Sequence, residues 1–178
     1  MRLVRGVPLL FIAVTLSAAP LGAQRRRSVE VVPGQMTVVV EDTMGTPYRV
    51  PLPRATVYRA LLAVYDELKI PAEIRDSAAG RVGVPSFYRR GDFAGHQIST
   101  WLSCGESMTG PNADNYRVYM YLMSTVSPDG ENAATLRSVL LAGAVNVTEG
   151  ARHPMPCEST GRLEVRIQLL VLKKAVGI

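Results

Sequence analysis

The sequence predicts an α+β domain, a single antiparallel sheet with two helices packed on one face. Three observations predict it. Residues 54–70, RATVYRALLAVYDELKI, carry Val57, Leu61, Val64, Tyr65 and Leu68 at helical spacing, with Asp66, Glu67 and Lys69 off that stripe; this is the pattern of a helix with one buried face. Two runs of apolar, aromatic and β-branched residues, 116–126 and 134–147, flank Ser127-Pro128-Asp129-Gly130 and read as a hairpin. Residues 159–175 close the chain on a second apolar stripe.

Each element follows in order. Residues 35–42 are a β-branched run ending at Thr43-Met44-Gly45-Thr46-Pro47, a strand and a turn. The first helix ends before Pro71, which lacks an amide hydrogen and disfavours helix in the residue before it. Residues 72–84 read as a short strand, a small-residue turn and a second short strand. Residues 85–97 read as a loop, and 98–104 as the next strand candidate. The tail is ambiguous: Leu163, Val165, Ile167 and Leu169 alternate like a strand, while Leu163, Ile167, Leu170 and Val171 fit a helical stripe. Helix over 160–175 is preferred, because the run is long for a strand, Ser159 and Thr160 suit an N-cap, and Lys173 and Lys174 favour a helix C-terminus.

This order of strand, helix, antiparallel strands and helix resembles the helix-grip or TATA-binding-protein-like arrangement of small bacterial envelope domains. The stretches LSCG, from Leu102, and CESTGRLE, from Cys157, resemble a family of exported bacterial proteins with no assigned function, over residues 53–172. The resemblance implies export and transfers no activity.

The N-terminus supports the same compartment. Arg2 and Arg5 precede an apolar run over 6–16, and Gly22 and Ala23 stand before Gln24. That is the order of a secretory signal peptide over 1–23, and the run is too short to span a bilayer. A flexible basic segment, 24–34, and one α+β domain, 35–178, are expected to follow, with no transmembrane span in the mature chain. The formal charge of +5 misleads, because Arg2, Arg5, Arg25, Arg26 and Arg27 all precede Ser28 and the rest carries 15 basic against 15 acidic residues. A neutral body does not attract phosphate backbones, which excludes nucleic acid as a partner.

The chain holds two cysteines, Cys104 and Cys157. An even number in an exported protein points to a disulfide, and so long a loop gives a bridge worth on the order of 4 kcal/mol. The sharper alternative is a soft metal site. His153, Met155 and Cys157 alternate with Pro154 and Pro156, so an extended chain sets imidazole, thioether and thiolate on one face, as copper prefers, with Met108 and Cys104 candidates to join. A disulfide at Cys157 withdraws the best ligand, so no cofactor is assigned.

The loop over 86–97 is the candidate binding element. It carries Phe87, Tyr88, Arg89, Arg90, Phe93 and His96 beside two glycines, and loops on rigid scaffolds carry function disproportionately often. Enzymatic signals are sparse. His96 and His153 are the only histidines, too few for a multi-histidine metal site. Gly105 to Gly110 has one residue too many for a nucleophile elbow. Glu106 and Glu158, each near a cysteine, are the one candidate carboxylate pair for hydrolysis. Asn146-Val147-Thr148 matches a glycosylation acceptor.

The sequence therefore reads as an exported, non-enzymatic binding or interaction domain of the cell envelope, with an envelope protein, a cell-wall polymer or a small ligand as partner. Its alternative is a small-ligand carrier with a pocket between sheet and helices; an envelope hydrolase and a copper-binding protein stand behind these. Export predicts that N-terminal sequencing of material recovered outside the cytoplasm begins at Gln24. An intact chain confined to the cytosol contradicts it.

Overall fold

The computed structural model describes residues 27–30, 38–41, 44–147 and 154–178, the first two stretches as backbone only. The predicted leader lies outside the described residues. Arg27–Glu30 (β1), inside the segment expected to be flexible, pairs antiparallel with Val38–Glu41 (β2).

The fold is α+β, as the sequence predicts. Tyr48–Val50 (β3) leads into helix α1 (Arg54–Glu67), which is followed by Ile74–Asp76 (β4) and Arg81–Arg89 (β5). A compact excursion comes next: Asp92–Phe93 (β6), His96–Gln97 (β7), a 3₁₀ turn at Ile98–Thr100, Leu102–Ser103 (β8), Glu106–Ser107 (β9), Gly110–Pro111 (β10) and the single-turn helix α2 (Asn112–Asn115). The long strands β11 (Arg117–Pro128) and β12 (Ala134–Val145), then β13 (Met155–Ser159) and helix α3 (Arg162–Ala175), complete the chain. The main sheet runs β4-β5-β11-β12-β13-β8, with β3 beside the start of β12, and every pairing in it is antiparallel.

The core lies between this sheet and α1 and α3. Strand alternation turns Val118, Met120, Leu122 and Val126 of β11, with Leu136, Leu140, Ala142 and Ala144 of β12, toward the helices. Val57, Leu61, Val64 and Tyr65 of α1 meet them, with Leu163, Ile167 and Val171 of α3. These are the stripes legible in the sequence. The opposite face holds a smaller cluster, in which Tyr121 and Met123 pack with Met44, Ile74, Val139 and Leu141.

Both helix ends follow from local chemistry. Helix α1 stops ahead of Pro71: Lys69 turns left-handed at φ 54°, its amide donates to the Asp66 carbonyl, and the Ile70 amide donates to Tyr65. That is a Schellman close, with lysine where glycine is usual. At the start of α3 the N-cap is Gly161, not Ser159 or Thr160. Those two still serve the helix start: Ser159 Oγ accepts from the Gly161 amide and donates to Glu164, and Thr160 Oγ1 accepts from the Arg162 amide.

Three expectations need correction. Strand β5 extends to Arg89, through what was expected to be loop. Pro85 and Ser86 together face Tyr121, a bulge that absorbs the proline and resumes pairing at Phe87↔Met120. Residues 98–100 form a 3₁₀ turn rather than a strand, so Ile98 and Trp101, three apart, both point inward. The proline-containing run expected to be extended is strand β13 from Met155, and Pro156 lies where β13 has only β12 beside it, the edge position a strand proline tolerates. Finally, β12 ends at Val145, two residues short of the expected strand end.

One polar chain crosses the core. The Tyr65 hydroxyl meets Ser124 Oγ at 2.9 Å, and Ser124 meets Ser138, its cross-strand partner, at 2.7 Å. Burial pushes the Tyr65 phenol far above its ordinary value. The folded state therefore keeps this proton above about pH 10, where the unfolded chain releases it, so stability falls as pH rises past that point, by up to about 1.4 kcal/mol per pH unit. Tyr65→Phe is expected to cost about 1 kcal/mol at neutral pH and to flatten this alkaline slope, measured by denaturant unfolding between pH 8 and 11. An unchanged slope contradicts the assignment.

Candidate functional site

The residues expected to form a binding loop divide between two faces of a strand. Phe87, Tyr88 and Arg89 lie on β5 opposite Met120, Tyr119 and Val118, so alternation sends Tyr88 to the helix-free face, where it is 57% exposed. Phe87 is half-buried and its ring stacks at 5.3 Å on Phe93, which is buried. The Arg89 guanidinium sits 5.2 Å from the Phe87 ring. Asp92–Phe93 and His96–Gln97 form a tight hairpin whose central Ala94 and Gly95 both have positive φ, as a type I′ turn requires. His96 packs edge-on against Trp101, whose indole N–H donates to the Phe93 carbonyl. The phenylalanines and His96 thus build the hairpin; Tyr88 and Arg90 are exposed, and Arg89 lies half-buried over Phe87.

Tyr88 gains partners that sequence reasoning missed. Its ring lies 5.9 Å from that of Tyr119, and the Arg117 guanidinium stands 5.1 Å from its centroid. Hydrogen bonding to Tyr119 holds Arg117 still more firmly in its charged form. Beside this group a cavity of about 410 Å³ is lined by Arg90, Ser107, Thr109, Asn115, Tyr116 and Asn146, with Met108 and Val147 at its edge. Met108 is fully exposed at the tip of the β9–β10 hairpin. Asn115 donates to the carbonyls of Thr109 and Pro111, and Ser107 Oγ donates to Gly110. The tip is therefore held by its own polar groups. Tyr119 on the strand over 116–126 was the available signal, but Tyr88 reads as loop in the sequence, and only the register, set by the bulge at Pro85 and Ser86, makes them neighbours.

The disulfide predicted from the sequence is present and secures this region. Leu102↔Ser159 and Ser103↔Glu158 pair β8 with β13, which places Cys104 directly across from Cys157, with Cα atoms 4.3 Å apart. That separation is the narrow pair of an antiparallel ladder. The bridge joins an edge strand to its neighbour, and β13 leads straight into α3. Thr160 reinforces it by donating its amide and hydroxyl to the Trp101 carbonyl. Asn112, on α2, donates to the Cys104 carbonyl at 3.2 Å.

The other candidates are dispersed. His153 lies outside the described residues, Met155 is half-buried beside the Asn112 amide, and Cys157 is spent in the bridge. Among the described residues no three His, Cys, Asp or Glu side chains are grouped to hold a metal. Glu106 and Glu158 are both exposed, on β9 and β13. Asn146 is buried and Thr148 lies outside the described residues. No protein-family model and no curated protein matches this chain.

Cys104→Ser or Cys157→Ser is expected to lower stability by roughly 2–5 kcal/mol in denaturant unfolding and to leave the remaining cysteine open to thiol labelling. Unchanged stability in either variant contradicts a structural bridge.

Proposed function

We propose that this is an exported, non-enzymatic binding domain of the cell envelope, and that Tyr88, Arg90, Tyr116, Arg117 and Tyr119 form its ligand-binding rim. The observation that carries this reading is Tyr88: an exposed aromatic ring held in place by a second tyrosine and an arginine, at the end of two long paired strands. Exposed tyrosine and arginine on a rigid base supply contact area at low entropic cost, and they dominate binding energetics where surfaces meet.

The chemistry indicates a carboxylate-bearing ligand. Arg90 and Arg117 make no ion pair with a described residue, so their positive charges, that of Arg117 positioned by Tyr88 and Tyr119, suit recognition of a carboxylate. The tyrosine rings offer flat faces, and Ser107, Thr109 and Asn115 line the adjoining cavity with polar groups. Cell-wall polymers combine these features, and the leader over 1–23 and the disulfide suit that compartment. The carrier alternative finds no comparable support: the layer between sheet and helices is filled by fully buried Leu61, Val64, Tyr65, Leu122, Leu163 and Ile167.

Soluble peptidoglycan fragments, titrated against the full-length and leader-less protein, test the proposal. Tyr88→Ala with Arg117→Ala is expected to weaken binding at least tenfold, about 1.4 kcal/mol, with the unfolding midpoint nearly unchanged. Unaltered binding by the variant, or collapse of its fold, overturns the assignment.

A further inference from the structure

Helix α3 has two apolar faces, and the fold uses one. Leu163, Ile167 and Val171 enter the core. On the other side, Val165 and Leu169 are 51% and 57% exposed, Val176 at the helix C-cap is 47% exposed, and Leu172, half-buried at the margin of the core, lies between them. Their spacing of four, three and four residues is the seam of a helix built to pack against another helix. An exposed leucine alone needs no explanation, but an apolar row at seam spacing from Val165 to the C-cap Val176 does.

The charges beside the seam say what would cover it. Arg162 and Lys173 fall exposed along one flank, with Arg166 between them resting its guanidinium 5.6 Å from the Trp101 ring, and the helix's one acid, Glu164, lies on the opposite side, held by Ser159. The second flank is closed by Gln168, which is buried and donates to the Thr46 carbonyl. Solvent therefore meets an apolar row with a basic row on one side only.

We infer that this face of α3 is a docking surface for an amphipathic helix of a partner protein, one that carries acidic residues along one side of its apolar stripe. A second copy of the chain fits poorly. Packed antiparallel, two α3 helices bring the Arg166 and Lys173 rows together; packed parallel, they set these rows against Gln168 and Ala175. Neither supplies an acid. A lipid surface is also the weaker match, since α3 carries no aromatic residue and its basic residues flank one side, whereas interfacial helices present a broad apolar face with aromatic anchors. The surface is separate from the Tyr88 rim and stands without it.

The test uses the whole protein and three probes: a stapled three-heptad peptide with leucine at its seam and glutamate along one flank, the same peptide with lysine in place of glutamate, and phosphatidylglycerol vesicles. Fluorescence anisotropy is expected to show micromolar binding of the glutamate peptide and at least tenfold weaker binding of the lysine peptide. Leu169→Asp, at an exposed position that leaves the fold intact, should weaken the glutamate peptide at least tenfold. Arg162→Glu with Lys173→Glu should reverse the preference between the two peptides. Tyr88→Ala with Arg117→Ala should leave peptide binding unchanged, which separates this surface from the rim. Equal binding of both peptides, no binding of the glutamate peptide, or Leu169-dependent binding to vesicles in preference to peptide overturns the inference.

Discussion

The cross-strand bridge between Cys104 and Cys157 is the constraint on which the rest of the molecule's exposed architecture depends. Residues 92–116 leave the sheet after β5 and return to it at β11, and within that excursion the paired segments are only two residues long. Strands that short do not hold themselves together in water. The bridge fixes β8 to β13, β13 is laddered to β12, and the excursion becomes part of the sheet at its far edge. From that anchor Asn112 reaches the Cys104 carbonyl, Asn115 reaches the β9–β10 tip, and Tyr116 leads into β11. The wall of the rim cavity is thus a consequence of one covalent bond and a few side-chain amides.

The sheet itself needs no such help. Its central hairpin pairs twelve residues on each strand, the helix-facing side is closed by two amphipathic helices, and the polar chain from Tyr65 through Ser124 to Ser138 is placed where both serines face each other across the strands. A buried hydroxyl chain of this kind tolerates one register, because a one-residue slip would carry both serines to the other face. The long strands are therefore stable and specific on their own, while the excursion borrows its order from them. Binding chemistry sits at the junction of the two, on strand positions of β5 and β11 that cannot move and beside a tip that is separately tied.

Much of this was legible in the residues. Val57, Leu61, Val64 and Tyr65 announced α1, the turn at Pro128 and Asp129 announced the β11–β12 hairpin, and the length of the tail with Lys173 and Lys174 at its end favoured helix where its apolar pattern was ambiguous. The cysteine pairing followed from compartment and count. What escaped was non-local. Pro85 looked like the end of a strand because a bulge is invisible until the partner strand is known. Ile98 and Trp101 looked like strand residues because a three-residue spacing within so short a run has no distinct signature. Arg117 and Tyr119 were read as strand formers, and nothing in the sequence sets them beside Tyr88. The exposed row of α3 was present in the same segment as its buried one, but alternation and helical stripes overlap there until the buried face is known.

Hydrogen exchange before and after reduction of the disulfide tests the central claim most directly. If the bridge orders the excursion and the long strands stand alone, reduction should speed exchange by at least tenfold across amides 98–115 and leave those of α1, β11 and β12 protected. Equal loss of protection through the whole domain, or no change within 98–115, would contradict it.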